Sequence, residues 1–250
     1  MYSILPFFVF MLLSTPTQHQ QHSDSSSREK VTFATFNVSM ESENYLGRNA
    51  DGVSTQVLID KLASGNSSHI QNIARIIQAK RPDVILLNEF DYIENPKQGV
   101  EQFIDAYLNV AQGGLEPIDY PYYYYSTSNT GIETPFDLNG DGKKEGNAND
   151  AFGYGRYPGH YGMVLLSKFP IQKENIRTFQ YFKWKDMPNH LKILKANGEN
   201  FYSDKAWEVF RLSSKSHWDV PIQVGNKTIH VLASHPTPPG FDGKEDRNGK

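Results

Sequence analysis

The sequence predicts an α/β protein in which mixed or antiparallel sheets pack together and are flanked by helices. Short strands and amphipathic helices follow one another without strict βαβ alternation, and two late strands are joined as a hairpin. No internal repeat is visible. Roughly 220 of the 250 residues follow the first 30, enough for one domain with a substantial core.

The first two predicted strands end at polar side chains. Residues 31–37 have the β-branched and aromatic composition of a strand that ends at Asn37. Residues 84–87 are an apolar run after Arg-Pro, typical of a buried strand, and they lead to Glu89. Ligands in layered α/β proteins lie at such strand ends, which makes Glu89 a candidate cation ligand. Taken alone, each residue also fits an ordinary strand end.

Two helices are predicted between the strands. Residues 68–81 begin with a capping-box pattern, carry apolar residues at helical spacing and stop at Arg81-Pro82. Residues 99–111 carry apolar residues on one side and are closed by two glycines.

Five further segments read as strands. The last two are separated by Gly225-Asn226, a two-residue hairpin signal. His160 and His230 flank these strands, and we expect them to be structural. The five segments are residues 121–127, which contain four tyrosines, 159–168, 207–213, 217–224 and 227–235.

Composition limits the function and the compartment. A net charge of −3 gives no global attraction to nucleic acid, so phosphate binding has to be local and metal-assisted. The absence of cysteine excludes disulfides and lipidation at a leader cysteine. Residues 4–13 have the length of a signal-peptide core and a polar tract follows, so residues 1–30 are predicted to be a signal peptide and linker. A buried N-terminal strand is the alternative. We expect a secreted or periplasmic protein without a stable membrane anchor.

An acidic loop has the oxygen spacing of a calcium site. Asp137, Asn139 and Asp141 occupy alternate positions before Gly142, as in the first half of a calcium loop. Ala148 stands where the bidentate acid belongs, so Asp150 would have to replace it. The loop predicts a structural Ca²⁺ or, alternatively, a solvated acidic turn. The remaining candidate ligands are the carbonyl of Lys143 and the side chain of Glu145.

Four of these segments together resemble the endonuclease/exonuclease/phosphatase superfamily of metal-dependent phosphoesterases, which includes exonuclease III, deoxyribonuclease I and neutral sphingomyelinases. They are the strand ending at Asn37, the R-P-D strand ending at Glu89, the G-H-Y-G strand after Gly159 and the strand ending at His235. Their order also fits, and the resemblance spans residues 31–247. The F-D-L-N-x-D-G loop at 136–142 is similar to that of secreted bacterial members.

The resemblance implies a fold and a site. The fold would be a four-layer α/β sandwich, two packed mixed sheets flanked by helices, with residues 31–250 as the N-terminal portion of the domain. Glu89 and Asn37 would hold Mg²⁺ or Mn²⁺, while His235, with Asn37 as a second catalytic residue, would contact the scissile phosphate and move a proton. Candidates for binding phosphate oxygens are Arg156, Tyr161, Lys215 and His217.

The second half of the family pattern, a G-D-x-N strand end and a terminal S-D-H strand end, is absent from these 250 residues. We therefore expect a domain that is incomplete at its C-terminus and that lacks turnover by itself. The predicted function is a secreted, metal-dependent phosphodiester hydrolase, first of all a nuclease acting on nucleic acid. The alternatives are a phosphomonoesterase or lipid phosphodiesterase of the same family, and a non-catalytic, calcium-stabilised extracellular binding module.

Overall fold

Two β-sheets form the centre of the computed structural model, which describes residues 30–146 and 148–241. The predicted signal peptide and most of the linker, residues 1–29, lie outside these ranges. From Val31 onward the described residues belong to one compact unit.

The first sheet is mixed and has the strand order β1-β2-β4-β3. β1 runs parallel to β2, while β4 pairs antiparallel with both β2 and β3. β1 does not end at Asn37 as predicted, because it continues to Met40 after a register irregularity. The strands are β1 (Phe33–Met40), β2 (Val84–Phe90), β3 (Tyr122–Tyr125) and β4 (Met163–Ser167).

The second sheet is antiparallel, with the order β5-β6-β7. The predicted hairpin is confirmed: β6 (His217–Val224) and β7 (Lys227–Ser234) flank the Gly225-Asn226 turn. Gly225 has a φ of 56°, which glycine adopts without strain. The two-residue β5 (Arg177–Thr178) pairs with β6, so that β7 is an edge strand among the described residues. Leu232 of β7 is 77% exposed.

Five α-helices accompany the sheets in the described part of the chain. The prediction for residues 68–81 is confirmed by α3, but its capping box is wrong, because Ser67 is the N-cap and makes no side-chain cap hydrogen bond. The helix predicted for residues 99–111 is shorter, since α4 passes into a π-helical turn that ends at Leu108. The first two helices were not predicted. The helices are α1 (Ser42–Leu46), α2 (Thr55–Ala63), α3 (Ser68–Lys80), α4 (Val100–Phe103) and α5 (Asp204–Trp207).

The alternation of side chains along β2 and β4 gives the first sheet two buried faces. On one face, Ile85 and Leu87 pack with apolar residues of α2, α3 and α4. On the other, Val84 and Leu86 pack with Trp218 and other residues of β6. The described residues thus form an α/β arrangement with a helical layer on one sheet and a second sheet on its other face, as an apolar run buried on both sides predicts.

Two motif residues have structural roles at opposite ends of β2, Asp83 at its start and Gly162 at its end. The carboxylate of Asp83 accepts from the backbone N–H of Thr32 at 2.9 Å and from Nζ of Lys168 at 3.0 Å, which joins the starts of β1 and β2 to the end of β4. Burial raises the pKa of Asp83, but these hydrogen bonds outweigh it and hold the pKa below its ordinary value.

Gly162, in the G-H-Y-G motif, permits a close approach of two backbones. Its carbonyl accepts from the N–H of Phe90 at 3.2 Å. A Cβ at this position would lie 2.6 Å from the carbonyl oxygen of Phe90. Only glycine therefore fits beside β2 at this point.

The strand predicted for residues 207–213 is wrong. Ser203 caps the short helix α5 by accepting from the N–H of Ala206 at 3.2 Å, and Trp207 ends that helix. The aromatic side chains that suggested a strand instead pack against one another, with Tyr202 and Phe210 stacked at 4.6 Å. Aromatic packing and an isolated antiparallel bridge between Arg211 and Lys183 therefore take the place of a full strand here. No described helix is long and apolar enough to cross a membrane.

Candidate active site

Three residues with left-handed backbone conformation lie around the end of β2. Ser39, Glu89 and Tyr161 have φ angles of 45°, 60° and 56°. Residues other than glycine are strained in this region, and such residues cluster at binding and catalytic sites. Glu89, the predicted metal ligand, is the penultimate residue of β2. Its left-handed backbone interrupts the regular strand at that position.

Asn37, Ser39 and Glu89 form a cluster of oxygen atoms on neighbouring strands. Oγ of Ser39 is 3.4 Å from Oε2 of Glu89, and the backbone N–H of Ser39 donates to Oδ1 of Asn37 at 3.1 Å. The side chain of Asn37 also hydrogen-bonds Glu89. The structure therefore brings the predicted Asn37 and Glu89 together and adds Ser39, which sequence reasoning missed.

His235 joins this cluster from the other sheet. It directly follows β7, and its Nε2 lies 3.3 Å from Oε1 of Glu89. Burial raises the pKa of Glu89, but hydrogen bonds from His235 and Asn37, with the positive charge of Lys215, outweigh burial and lower it. Glu89 is thus an ionised carboxylate held at the end of an apolar strand.

Lys215 is a buried cation beside Glu89. Its side chain is 8% exposed, and its Nζ lies 5.9 Å from the ring centroid of Tyr161. Burial lowers the pKa of Lys215 to about 8, although the negative charge of Glu89 opposes this effect. At neutral pH the ammonium is charged and lies at the wall of the cavity that Glu89 also lines.

Tyr161 and Arg156 hold a different carboxylate. The hydroxyl of Tyr161 donates to Oε2 of Glu43 at 2.8 Å, and Nη1 of Arg156 pairs with Oε1 at 3.2 Å. Burial raises the pKa of Glu43, but these two hydrogen bonds lower it below its ordinary value. Arg156 and His217 do not line the cavity, although Tyr161 does. The phosphate-binding roles of Arg156, His217 and Tyr161 stay predictions.

Sequence reasoning also missed Glu41, which is bonded to the buried ring of His160. Nε2 of His160 lies 3.1 Å from Oε2 of Glu41, and its Nδ1 accepts from the backbone N–H of Arg156 at 3.3 Å. A ring that accepts at Nδ1 donates through Nε2, so Glu41 accepts from the ring. His160 is fully buried, and the structural role expected of it stays a prediction.

Glu41, Glu43 and His160 are the group of three potential metal ligands that lie within 4.8 Å of one another among the described residues. Both oxygens of Glu43 and both ring nitrogens of His160 already have protein partners. The group is therefore satisfied internally and fits a supporting network. Its signal in the sequence is faint: two acids shortly after Asn37 and a histidine inside the G-H-Y-G motif.

Asp91 is a further buried acid behind the cluster. It is 1% exposed and accepts from the hydroxyl of Tyr157 and, at 2.9 Å, from the backbone N–H of Tyr161. Burial raises the pKa of Asp91 to about 8, against the lowering effect of these hydrogen bonds. Asp91 thereby ties the segment before β4 to the end of β2.

A cavity of about 920 Å³ opens onto the cluster. Its polar side is formed by the cluster and by Lys215, and its volume lies within the range of ligand pockets. Aromatic residues also line the cavity, among them Phe152, Tyr154, Trp184, Tyr202 and Phe210.

The predicted calcium loop borders this cavity, which Asn139 helps to line. Asp137 accepts from the backbone N–H groups of Gly140 and Gly142 at 2.6 and 2.9 Å. Asp141 accepts from the N–H of Lys143 at 2.8 Å. These carboxylates order a tight loop.

Asp150 is buried under the same loop. Its carboxylate accepts from the N–H of Leu138 at 2.7 Å and from that of Glu145 at 2.8 Å. The carboxylate of Asp150 thus orders the loop. Its role as a calcium ligand and the bound Ca²⁺ both stay predictions.

One protein family matches the sequence. The sequence profile described as the Endonuclease/Exonuclease/phosphatase family matches residues 34–247. No match was found among curated proteins.

Three solved structures resemble the chain, and the chain spans about half their length. An endonuclease/exonuclease/phosphatase family protein from Leptotrichia buccalis has 14% identity and a TM-score of 0.39, over 85% of this chain and 57% of that chain. An endonuclease/exonuclease/phosphatase from Beutenbergia cavernae has 17% identity and a TM-score of 0.37, over 84% and 38%. Beta toxin from Staphylococcus aureus has 17% identity and a TM-score of 0.31, over 82% and 50%. Because the family profile covers most of its residues, the chain belongs to the endonuclease/exonuclease/phosphatase family.

Proposed function

We propose that the protein is a secreted or periplasmic, divalent-metal-dependent phosphodiester hydrolase, and first of all a nuclease. The observation that carries the proposal is the ionised carboxylate of Glu89 at a strained strand end, bonded to Asn37 and His235 beside a cavity. Membership of a phosphoesterase family supports it. We also propose the four-layer sandwich for the domain, which the helical layer and the two packed sheets support.

The donor set fits a hard divalent ion. Mg²⁺ and Mn²⁺ prefer oxygen ligands, and Mg²⁺ is commonly held by one or two carboxylates with the remaining positions filled by water and substrate. Glu89 supplies the carboxylate, and Asn37 and Ser39 supply neighbouring amide and hydroxyl oxygens. Such an ion, when bound, neutralises phosphoryl oxygens and lowers the pKa of bound water.

The chain's own side chains would position the phosphate. Lys215 places a buried positive charge beside Glu89, where it attracts the phosphate group. His235 lies at the wall of the cavity and can donate a ring N–H to a phosphate oxygen, while its bond to Glu89 orients the ring. Tyr161, Arg156 and His217 are secondary candidates, because Tyr161 and Arg156 are engaged with Glu43.

Two neighbouring functions share the same residues. A phosphomonoesterase or a lipid phosphodiesterase would use the same metal ligands, and substrate choice would depend on the loops that border the cavity. A structural Ca²⁺ in the loop at 137–150 is proposed in addition, because its carboxylates converge on one tight turn. It also supports the alternative of a calcium-stabilised binding module.

Metal binding tests the assignment without relying on turnover. Mn²⁺ binding to the full chain is measured by electron paramagnetic resonance for the wild type, Glu89→Gln and the control Glu94→Gln, whose side chain is exposed in another cleft. We expect Glu89→Gln to weaken binding at least tenfold and the control to leave it unchanged. Hydrolysis of single-stranded DNA and of bis(p-nitrophenyl) phosphate is followed in parallel. Unchanged Mn²⁺ affinity in Glu89→Gln would refute the assignment.

A further inference from the structure

Arg211 is held in one place at the wall of the cavity. Its guanidinium carbon lies 4.1 Å from the ring centroid of Phe152 and 4.7 Å from that of Tyr181. Nη1 donates to Oδ1 of Asn129. Asn129 is fully buried, and its own amide nitrogen donates to two backbone carbonyls at 2.8 and 2.7 Å. Asn129 therefore holds the guanidinium in place, and its two bonds to backbone carbonyls hold Asn129 in place.

No described carboxylate pairs with this guanidinium. Arg156 and Arg177, by contrast, pair with Glu43 and Asp219. Arg211 has five N–H donors and uses one on Asn129, which leaves most of them for a ligand. Burial lowers the pKa of Arg211, but an arginine stays charged at neutral pH. Arg48 also lines the cavity, but it is exposed and no described residue pairs with its guanidinium.

Arg211 lines the same cavity as Lys215 and Glu89, beside which the phosphate is proposed to bind. Arg211 is four positions before Lys215 along the chain, so their Cα atoms are at most about 14 Å apart. If Lys215 and the metal hold the scissile phosphate, as the proposed function states, Arg211 is left for a second group. Guanidinium forks match carboxylate and phosphate oxygens.

We propose that Arg211 binds a second anionic group of the substrate, so that the substrate class is a phosphate ester with at least two anionic groups, such as a nucleotide chain. Phosphocholine lipids fit this arrangement poorly, because they carry one phosphate and a quaternary ammonium that Arg211 repels. The aromatic residues that line the cavity suit the stacking of bases. This inference rests on the proposed function and narrows it.

Binding of thymidine dinucleotides tests the inference. Calorimetry compares TpT, which has one phosphate, with pTpT and TpTp, which have two, in Mg²⁺ and separately in EDTA to exclude hydrolysis. We expect at least one two-phosphate ligand to bind the wild type about tenfold or more tightly than TpT, since hydrogen bonds between charged groups are strong. Arg211→Gln should remove this preference and leave TpT affinity unchanged. Arg177→Gln, which alters an arginine outside the cavity, should retain it.

The outcomes separate the two proposals. If the wild type binds TpT and both two-phosphate ligands equally, the inference is overturned while the proposed function stands. If it binds none of the three in either buffer, both fail. Should circular dichroism show that Arg211→Gln is unfolded, Arg211→Lys is compared with Arg177→Lys. The preference for two-phosphate ligands over TpT should fall at least about threefold in Arg211→Lys and not in Arg177→Lys, because lysine lacks the forked donors. An unchanged preference there would overturn the inference.

Discussion

Replacing Lys215 by methionine is expected to stabilise the fold while it weakens phosphate binding. The side chain is 8% exposed and no described carboxylate lies within ion-pair distance of it. A buried charge without a close partner opposes folding. Methionine has a similar length and no charge, so it can fill the same space.

The size of the effect follows from the pKa of Lys215. Its ordinary value is 10.5, and burial lowers it to about 8. Each unit of pKa is worth about 1.4 kcal/mol, so at neutral pH the charge costs the folded state at most about 3 kcal/mol. We expect Lys215→Met to raise the free energy of unfolding by about 1–3 kcal/mol at pH 7.

Urea denaturation of the wild type and the variant at pH 7 and pH 10 measures this difference. The charged lysine destabilises the folded protein below pH 8, and the penalty is relieved as the pH rises from 8 towards 10.5. The stability gap should therefore narrow at pH 10. Lys168→Met is the control of opposite sign: Lys168 pairs with Asp83 at 3.0 Å, so its loss should lower stability by roughly 0.5–1 kcal/mol. A variant at Lys215 that is less stable than the wild type at pH 7 would refute the reasoning.

Three further predictions concern the frame of the site. Gly162→Ala should destabilise the fold by about 1–3 kcal/mol in urea denaturation, because its Cβ meets a backbone oxygen that cannot rotate away. Asp83→Asn should cost about 1 kcal/mol at pH 7. Because the pKa of Asp83 is lowered on folding, its contribution to stability is present above about pH 4 and is lost as the pH falls through that lowered value. The difference in free energy of unfolding between Asp83→Asn and the wild type should therefore disappear in acid. Millimolar Ca²⁺ should raise the melting temperature of the wild type by several degrees but not that of Asp137→Ala, since saturation at about a hundredfold over Kd is worth about 2.7 kcal/mol.

Each of the three has a decisive control. Gly240→Ala adds a Cβ that meets nothing within 4 Å, so it should change stability by less than about 0.5 kcal/mol; equal effects at the two glycines would contradict the steric argument. For Asp83, a constant difference in denaturation between pH 3 and pH 7 would exclude the ionised carboxylate as its source. For the loop, a melting temperature that neither Ca²⁺ nor chelator changes would show that it is a solvated acidic turn without a bound ion.

The sequence predicted the parts of the fold in which local and long-range preferences agree. β2 and the β6–β7 hairpin were placed within a few residues, because an apolar run and a two-residue turn both specify strands. Residues 207–213 were misassigned because aromatic residues suit a strand and a local cluster equally well. Only the Ser203 cap, visible as a serine three residues before Ala206, distinguishes the two.

The residues of the site also divide into those that the sequence predicts and those that it does not. The proximity of Asn37, Glu89 and His235 was predictable because each lies near the end of a segment with strand composition, although β1 continues past Asn37 to Met40 and His235 comes from the second sheet. Glu41 and Asp91 were not, because each looks like a solvated acid until its partner is known. His160 lies 119 residues from Glu41, and no local pattern reports a contact over that separation. Networks of buried acids that support the site can therefore be recognised only from the three-dimensional structure.

The exposed edge of β7 bears on how the protein will behave when concentrated. An eight-residue strand without glycine or proline, carrying a largely exposed leucine, is a ready template for strand addition by a neighbouring molecule. Soluble proteins commonly guard such an edge with a charged side chain, and Lys227 guards only the start of this one. Preparations should therefore lose monomer with rising concentration unless a partner strand covers β7, and Leu232→Lys should slow that loss.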